Sequence, residues 1–321
     1  MNKALFDREK LSLRPLALRQ SDFSVESIKS VATKPGKFPE LGEVAERIIK
    51  ARRLGAPVIL IIGAHVLRCG VQPVLFEMME RGFVTLVAGS GALMIHDFEL
   101  GLTGKTTENV SRYIQEGQFG LWTETGWIND FVAKGWERGE GLGETIGKAI
   151  SDGEYPYMDI SLFARAYKLG IPVTVHVGIG YDIVHQHPNC NGAAYGATSY
   201  ADFLRFAAEV ERLEDGVVMN FGSAVMGPEV FLKALAMARN VAKQKGKNIS
   251  RFTTLVCDLQ NLKNDYRTEP SKNDPNYYFR PLKTMLVRSV ANGGDSYFVR
   301  GNHADTLPGL WAEILQRVGE K

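Results

Sequence analysis

Short apolar runs that alternate with amphipathic stretches constrain the fold of this chain most. Residues 57–63 and 83–89 are continuous apolar runs rich in β-branched side chains, which is typical of strands buried on both faces. Similar runs follow at residues 171–177, 217–222, 252–258 and 296–301, with stretches of helical spacing between most of them. This alternation predicts an α/β fold with a doubly wound, mostly parallel, Rossmann-like sheet of about six strands.

The domain organisation expected from the sequence is simple. The alternation begins after about residue 45, so we expect residues 1–45 to form a helical or irregular arm and residues 46–321 to form a single α/β domain. Residues 106–155 are rich in glycine and predict irregular helices without a strand.

Composition excludes several classes of protein. The net charge is only +2 over 321 residues, which disfavours nucleic acid as a partner. The longest apolar run, residues 56–66, is too short to cross a bilayer, so no membrane partner is expected. Cys69, Cys190 and Cys257 are far apart, and the first residues do not resemble a secretory signal. We therefore expect a cytoplasmic protein.

Polar residues cluster directly after the expected strands. In an open α/β sheet, ligands bind beyond the carboxyl ends of the strands. The residues of interest there, in chain order, are Gly63, His65, Arg68, Gly89, Ser90, Gly91, His96, Asp97, Glu99, His176, Gly178, Gly180, Asp182, Asn220, Gly222, Ser223, Asp258, Asn261, Arg300, Asn302, His303 and Asp305. Four of the six histidines are among them, which predicts a ligand pocket at this edge.

Two glycine-containing turns favour phosphate binding. Residues 89–91 (GSG) and 222–227 (GSAVMG) each follow an expected strand and precede a helix. Such turns let backbone N–H groups approach phosphate oxygens at a helix N-terminus. Neither turn is the G-x-G-x-x-G fingerprint, but together they favour a dinucleotide.

Residues 173–190 hold an unusual group of His176, His185, His187 and Cys190, with Asp182 among them. Such residues in a metal-dependent hydrolase would be metal ligands, which is an alternative function for the chain. Their spacing matches no standard zinc set, so we expect no metal. We expect the loop to fold over the pocket, with residues 188–199 as a mobile cover.

The order of these segments resembles the deoxyhypusine synthase family from about residue 50 to residue 317. The likeness rests on residues 63–83, on VAGSGALMIHDFE (87–99), on LFARAYKLGIPVTVHVGIGYD (162–182), on NFGSAVMG (220–227) and on YFVRGNHADTLPGLWAEIL (297–315). The second of these segments is also similar to NAD-dependent ornithine cyclodeaminase domains.

The resemblance implies an NAD-dependent enzyme that oxidises a small amine or amino acid to an imine, followed by transfer or cyclisation. It also implies a dimer or tetramer of identical chains. Lys283 stands eight residues after Pro275, as the imine-forming lysine of the synthases does. In those enzymes an acid and a tryptophan stand near that lysine, at positions taken here by Tyr277 and Pro281.

These considerations assign roles to the candidate residues. Lys283, His96 and His176 are expected to be catalytic, and Asp97, Glu99, Asp182 and His303 to bind the substrate. The residues expected to bind NAD are Gly63, His65, Ala88, Gly89, Ser90, Gly91, Gly222, Ser223, Asp258 and Asn302. A non-catalytic nucleotide-binding protein of the same fold is a further alternative.

Overall fold

The structure, a computed structural model, describes residues 5–28, 35–262 and 266–319. Its first half contains β1 (Ser21–Ser24), α1 (Pro39–Leu54), β2 (Val58–Ile62), α2 (His65–Arg68), α3 (Gln72–Glu80), β3 (Leu86–Ser90), α4 (Gly91–Thr103), β4 (Lys105–Glu108), α5 (Val110–Gln115), α6 (Trp127–Glu137) and α7 (Leu142–Asp152). The second half contains α8 (Leu162–Leu169), β5 (Val173–His176), α9 (Gly192–Glu211), β6 (Val217–Phe221), α10 (Met226–Gln244), β7 (Thr253–Asp258), a π-helix (Leu282–Arg288), β8 (Asp295–Arg300) and α11 (His303–Val318).

Six strands form one parallel sheet in the order β5-β3-β2-β6-β7-β8. This confirms the predicted doubly wound α/β fold, including all six strands inferred from the apolar runs. Side chains alternate between the two faces of a strand, so both faces of the central strand β2 need cover. Leu60 and Ile62 pack under α1, α3 and α4, while Ile59 and Ile61 pack under α10 and the π-helix.

The order of the strands reverses between β2 and β6. From β2 the chain builds outwards through β3 to β5, and then returns to the other side of β2 as β6. The loops that leave β2 and β6 therefore turn to opposite faces and open a crevice beyond their carboxyl ends. This switch point is where a ligand is expected in such a sheet.

The N-terminal residues pair with a segment predicted to contain no strand. β1 and β4 form a separate antiparallel ribbon in which Phe23 lies opposite Thr106. The expectation that residues 106–155 lack a strand is therefore wrong for β4. A strand of only four residues has little local sequence signal. Its partner strand is more than 80 positions away, and pairing with that partner supplies most of its stability.

Helix α1 runs through the division expected at residue 45. Its residues Leu41, Val44 and Ile48 belong to the same apolar core as β2. The division into an arm and a domain stays a prediction. No helix in the described ranges is both long and apolar enough to cross a membrane.

Candidate functional site

The switch point is built from close backbone packing between the loops after β2 and β6. A Cβ added at Gly63 would collide with the carbonyl of Gly222, so only glycine permits this approach. Gly222 has a φ of 72°, and a Cβ there would collide with the His303 ring. The side chain of Asn220 pins the turn, since it accepts from the N–H of Ser223 at 3.0 Å and donates to the Ser223 carbonyl at 2.9 Å.

Helix α10 begins directly at this crevice. The residues before its first turn, Ala224 and Val225, are exposed, and Val225 has 63% of its surface accessible. The positive end of a 19-residue helix therefore faces solvent beside Gly222 and Ser223. The N–H of Ser223 donates to Asn220 and that of Gly227 donates to Ser223 Oγ, so the groups that this turn offers to a phosphate are the N–H groups at the start of α10. Phosphate binding here stays a prediction.

His65 and His303 stand side by side at the same edge, with ring centres 6.4 Å apart. Burial lowers the pKa of His303, and the charge that His65 can carry lowers it further, whereas Asp258 raises it. His303 is the first residue of α11, which Asn302 caps by accepting from the N–H of Ala304 at 3.0 Å. The structure thus brings His65, Asp258, Asn302 and His303 together at the switch point.

The predicted phosphate site at residues 89–91 is filled by the protein itself. The carboxylate of Asp182 lies against the start of α4, where a Cβ at Gly91 would collide with it. Ala88 and Gly89 are buried within β3, and Gly89 packs under Leu93. A phosphate on Gly89, Ser90 and Gly91 would meet a carboxylate instead of free N–H groups. The geometry therefore does not support binding of an NAD phosphate at Ala88–Gly91.

Beside the switch point lies a cavity of about 270 Å³. It is lined by side chains from α2, α4, β4 and the loop after β5, together with Arg19 from the N-terminal residues. The lining residues are Arg19, Arg68, Ala92, Ile95, His96, Glu99, Thr107, Glu108, Val110, Phe119, Tyr181, Asp182 and Ile183. Three predicted site residues, His96, Glu99 and Asp182, therefore share one cavity.

A chain of hydrogen bonds runs from His96 into the protein. His96 Nδ1 lies 2.7 Å from Thr106 Oγ1, and Thr106 Oγ1 lies 2.7 Å from Glu99 Oε2. Arg19 binds both oxygens of Glu99, at 2.7 and 2.8 Å, and the two side chains are only 1% exposed. Thr125 donates to Glu99 Oε1 at 2.7 Å. Glu99 thus accepts hydrogen bonds from Arg19, Thr106 and Thr125.

This chain of hydrogen bonds fixes the tautomer of His96. Burial by itself raises the pKa of Glu99, but the Arg19 guanidinium outweighs it and holds that pKa below its usual value. An ionised carboxylate only accepts, so the single proton of the Thr106 hydroxyl goes to Glu99. Thr106 Oγ1 then accepts from Nδ1–H of His96, and the other ring nitrogen, Nε2, carries a lone pair.

His96 is neutral near pH 7. Burial lowers its pKa to about 4, and Arg68, Arg19 and His65 act in the same direction, while Glu99 opposes them. The residue is therefore a hydrogen-bond acceptor at Nε2 and is able to take a proton there when charge develops nearby.

Asp182 and Thr107 line the same cavity. Burial raises the pKa of Asp182 to about 6, against a hydrogen bond from the Ala92 N–H. Its Oδ2 and the Thr107 Oγ1 are buried and accept or donate no hydrogen bond among the described residues. Thr107 is β-branched and yet has a φ of 69°, a backbone conformation that such residues rarely adopt. Arg68, exposed at the rim, forms no ion pair within the described ranges.

Asp97 and His176 are not brought to the cavity. Asp97 is fully buried and accepts from Leu162 N–H at 2.7 Å, Phe163 N–H at 3.1 Å and the Ser161 hydroxyl, so it caps α8. His176 Nε2 lies 3.1 Å from Thr174 Oγ1, and its ring packs edge-on against Phe206. The substrate-binding role expected of Asp97 and the catalytic role expected of His176 are therefore not supported.

Lys283 lies on the opposite face of the sheet from His96. It belongs to the π-helix, whose Leu282 and Met285 pack in the core beneath α10, while α4 covers the other face. Lys283 is 4% exposed, and its Nζ stands 3.5 Å from the centre of the Tyr277 ring. The lysine is therefore held by a cation–π contact and does not line the cavity.

The histidines proposed for a metal-dependent hydrolase do not converge. His187 Nε2 donates to the Gly120 carbonyl at 2.7 Å, while His185 Nδ1 accepts from the Gly180 N–H at 3.3 Å and stacks edge-on against Tyr195. Over residues 5–28, 35–262 and 266–319, no three His, Cys, Asp or Glu side chains are grouped to hold a metal ion. The geometry does not support that alternative.

Arg19, Thr106 and Thr107 were missed by sequence reasoning. They lie in β4 and in the residues ahead of β1, and neither segment carries an apolar run that predicts a strand. A polar residue in such a segment has no position relative to the sheet until the ribbon is paired, so no sequence signal identifies these three.

Comparison with known proteins supports the fold. No family model matches the chain, and no curated protein matches it. A conserved LOR/SDH-type protein from Methanococcus maripaludis S2 is 17% identical, covers 90% of this chain and 72% of its own, and has a TM-score of 0.52. Unliganded AgrE is 16% identical over 87% of this chain, with a TM-score of 0.53.

This chain spans only 32% of AgrE, whose structures include a ternary complex with ornithine and NAD+. A protein assigned to the deoxyhypusine synthases, from Entamoeba histolytica, is 9% identical over 87% of this chain and 90% of its own, with a TM-score of 0.46 that adds no weight. The neighbours with TM-scores above 0.5 support the fold that the resemblance implies, and the fold alone.

Proposed function

We propose that this protein is an NAD-dependent enzyme that oxidises a small amine or amino acid to an imine. The observation that carries the proposal is the juxtaposition of two features at one edge of the sheet. The switch-point crevice at Gly63 and Gly222 lies beside the cavity that holds His96 and Asp182, because the short helix α2 contributes to both: its Arg68 lines the cavity, and its His65 lies 6.4 Å from His303 in the crevice. A cofactor in the crevice and a substrate in the cavity would therefore lie next to each other at the carboxyl edge of the sheet.

The residues at the switch point fit a dinucleotide in part. The start of α10, beside Gly222 and Ser223, would hold a phosphate, and Asp258 would accept from ribose hydroxyls. His65, His303 and Asn302 would line the rest of the crevice. NAD, when bound, supplies the acceptor for the hydride that leaves the carbon bearing the nitrogen.

His96 supplies the base. Oxidation of a protonated amine requires that one N–H proton leave before the hydride does, and the product is then an iminium ion. The bare Nε2 of neutral His96 accepts that proton, while Thr106 and Glu99 hold the ring in the required tautomer. The buried Glu99–Arg19 ion pair fixes the end of this hydrogen-bond chain that lies farthest from His96.

The position of Lys283 favours attack on the imine by a second amine of the substrate. Its Nζ rests on the Tyr277 ring and does not line the cavity. Transfer to Lys283, as in the synthases, requires the lysine to leave that ring. Unliganded AgrE shares this fold, and AgrE has also been solved in a ternary complex with ornithine and NAD+.

The experiment is a titration with NAD followed by turnover. We expect purified protein to bind NAD, and a panel of diamines and amino acids with NAD to give NADH absorbance or a cyclised product by mass spectrometry. Lys283→Met is expected to keep product formation. Arg68→Ala is expected to weaken the binding of amino acids more than the binding of simple diamines. No binding of NAD would refute the proposal.

Binding of NAD without turnover of any amine would favour the non-catalytic alternative. The homo-oligomer implied by the resemblance is part of the proposal, and light scattering on the purified protein measures it.

A further inference from the structure

A second cavity lies at the amino end of β5, away from the switch point. It has a volume of about 220 Å³ and is lined by residues of α7, α8, α9 and the segment that leads into β5. The cavity with His96 opens beyond the carboxyl ends of the strands, so the two cavities lie at opposite edges of the sheet. Pockets for drug-sized molecules measure roughly 300–1,000 Å³, so this smaller cavity fits a ligand of about the size of one amino acid.

The walls of this cavity are apolar and aromatic. Phe163 is completely buried, and Tyr167, one turn further along α8, is 38% exposed. Ile171 and Pro172, which lead into β5, are half-buried. An apolar group placed among these side chains would leave water together with them, which favours binding.

One backbone donor at this cavity has no acceptor. The N–H groups of Val175 and Val177 point away from β3, to Asp202 Oδ2 at 2.8 Å and to Ser199 Oγ at 3.2 Å. Alternate residues of a strand turn their N–H groups to the same side, so the N–H of Val173 also points away from β3. Val173 lines the cavity, and in the described part of the chain nothing accepts from this N–H.

Two side chains of opposite charge stand at the rim of this cavity. Arg205 Nη2 donates to Glu144 Oε2 at 3.3 Å, and the two side chains are 49% and 38% exposed. An exposed ion pair of this kind is weak, so a ligand that offers each group its own partner can open it. Asp202, the buried carboxyl nearby, already accepts from the N–H groups of Gly143 and Val175.

We propose that this cavity binds a free α-amino acid with an apolar side chain. The α-carboxylate would accept from the Arg205 guanidinium and the Val173 N–H, and the α-ammonium would donate to Glu144. The apolar side chain would lie against Phe163 and Tyr167. Both charges of the ligand sit on one carbon, which suits an arginine and a glutamate that already touch each other. The site is separate from that of the proposed function and does not depend on it.

The test uses L-leucine as the probe. Its controls are 4-methylpentanoate, which lacks the ammonium group, and 3-methylbutylamine, which lacks the carboxylate. Binding to the full-length protein is measured by calorimetry without NAD. We expect leucine to bind at least tenfold more tightly than either control, because a lost hydrogen bond between charged groups weakens binding by roughly tenfold to a hundredfold.

Two variants assign the two charges of the ligand separately. Arg205→Met should weaken leucine and 4-methylpentanoate by about tenfold and leave 3-methylbutylamine unchanged. Glu144→Gln should weaken leucine and 3-methylbutylamine and leave 4-methylpentanoate unchanged. Both side chains are partly exposed, so the melting temperature should shift by only a few degrees. Arg165→Met is the matched control, since it breaks a similarly exposed ion pair with Glu80 on the same helix α8, and it should not change binding.

The outcomes that overturn the inference are distinct. They are absence of leucine binding, equal binding of leucine and its two analogues, and leucine binding that is unchanged in both Arg205→Met and Glu144→Gln. Leucine binding that is lost in Arg68→Ala and kept in Arg205→Met would place the ligand in the cavity with His96 and would also overturn it. Leucine binding with the expected response to both variants upholds the inference whether or not the protein binds NAD.

Discussion

His96 Nδ1 on α4 and Thr106 Oγ1 on β4, the ribbon strand that follows α4 after Gly104, lie 2.7 Å apart. Because the Thr106 proton is committed to Glu99, this contact determines which nitrogen of His96 is free. The acid–base behaviour of His96 therefore depends on Thr106. This threonine would not contact the substrate and is a positioning residue, because it acts through His96.

Replacing Thr106 by valine should release the His96 ring. Thr106→Val removes both hydrogen bonds of the hydroxyl and keeps the shape, so the two neutral tautomers become mixed and kcat should fall about tenfold with little change in KM. Nitrogen NMR shifts of the ring report the tautomer directly. Thr106→Ser should restore both the shifts and the rate, and unaltered ring shifts in the valine variant would contradict the assignment.

Breaking the buried ion pair should destabilise the protein strongly. Arg19→Met leaves Glu99 buried without a counter-charge, which typically costs about 3–5 kcal/mol in the free energy of unfolding. The exposed Lys37–Asp305 pair, 2.8 Å long, is the control, and Lys37→Met should change stability by less than about 1 kcal/mol. Urea denaturation measures both, and equal effects would refute the burial argument.

The same pair gives stability a defined dependence on pH. Because the folded pKa of Glu99 lies below its ordinary value, the folded state holds its proton more weakly than the unfolded state. The contribution is fully present above the unfolded pKa, about 4.3, and is lost as the pH falls through the lower folded pKa. Glu99→Gln should remove this acid-side dependence in denaturation curves recorded below pH 5.

Amine binding should depend on the ionisation of Asp182. Burial raises its pKa to about 6, so the free protein carries this carboxyl group increasingly protonated below that pH. A primary ammonium needs the ionised form, and its affinity should therefore rise as the pH increases from about 5 to 7. His96, with a pKa of about 4, stays neutral throughout that interval. Asp182→Asn should flatten the profile measured by calorimetry, and a profile that stays unchanged would assign the ionisation elsewhere.

Gly222→Ala should damage the switch point. The substitution places a Cβ at a φ of 72° and against the His303 ring, so it combines backbone cost with overpacking, about 2–4 kcal/mol in all. Gly246 has a φ of 65° with no atom within 4 Å of an added Cβ, and Gly246→Ala should cost only about 1 kcal/mol. Thermal unfolding compares the two, and NAD affinity should fall in Gly222→Ala alone.

The apolar runs alone predict the sheet and the edge at which the candidate residues gather. Continuous apolar runs identify strands buried on both faces, and the residues that follow them in a parallel sheet lie at its carboxyl edge, where the structure places Gly63, His65, Gly222 and His303. The direction in which each side chain points was beyond that reasoning. Asp97 and Glu99 are two residues apart on α4, yet one caps α8 and the other meets Arg19.

Which of these groups a ligand could reach depends on how the folded chain packs around them. Asp182 covers the start of α4, where a phosphate was expected, and the β1–β4 ribbon delivers Thr106 and Thr107 to His96. Local periodicity indicates which segments become buried strands. Side-chain partners such as Arg19 and Glu99, which are 80 residues apart, meet only through the packing of the whole chain.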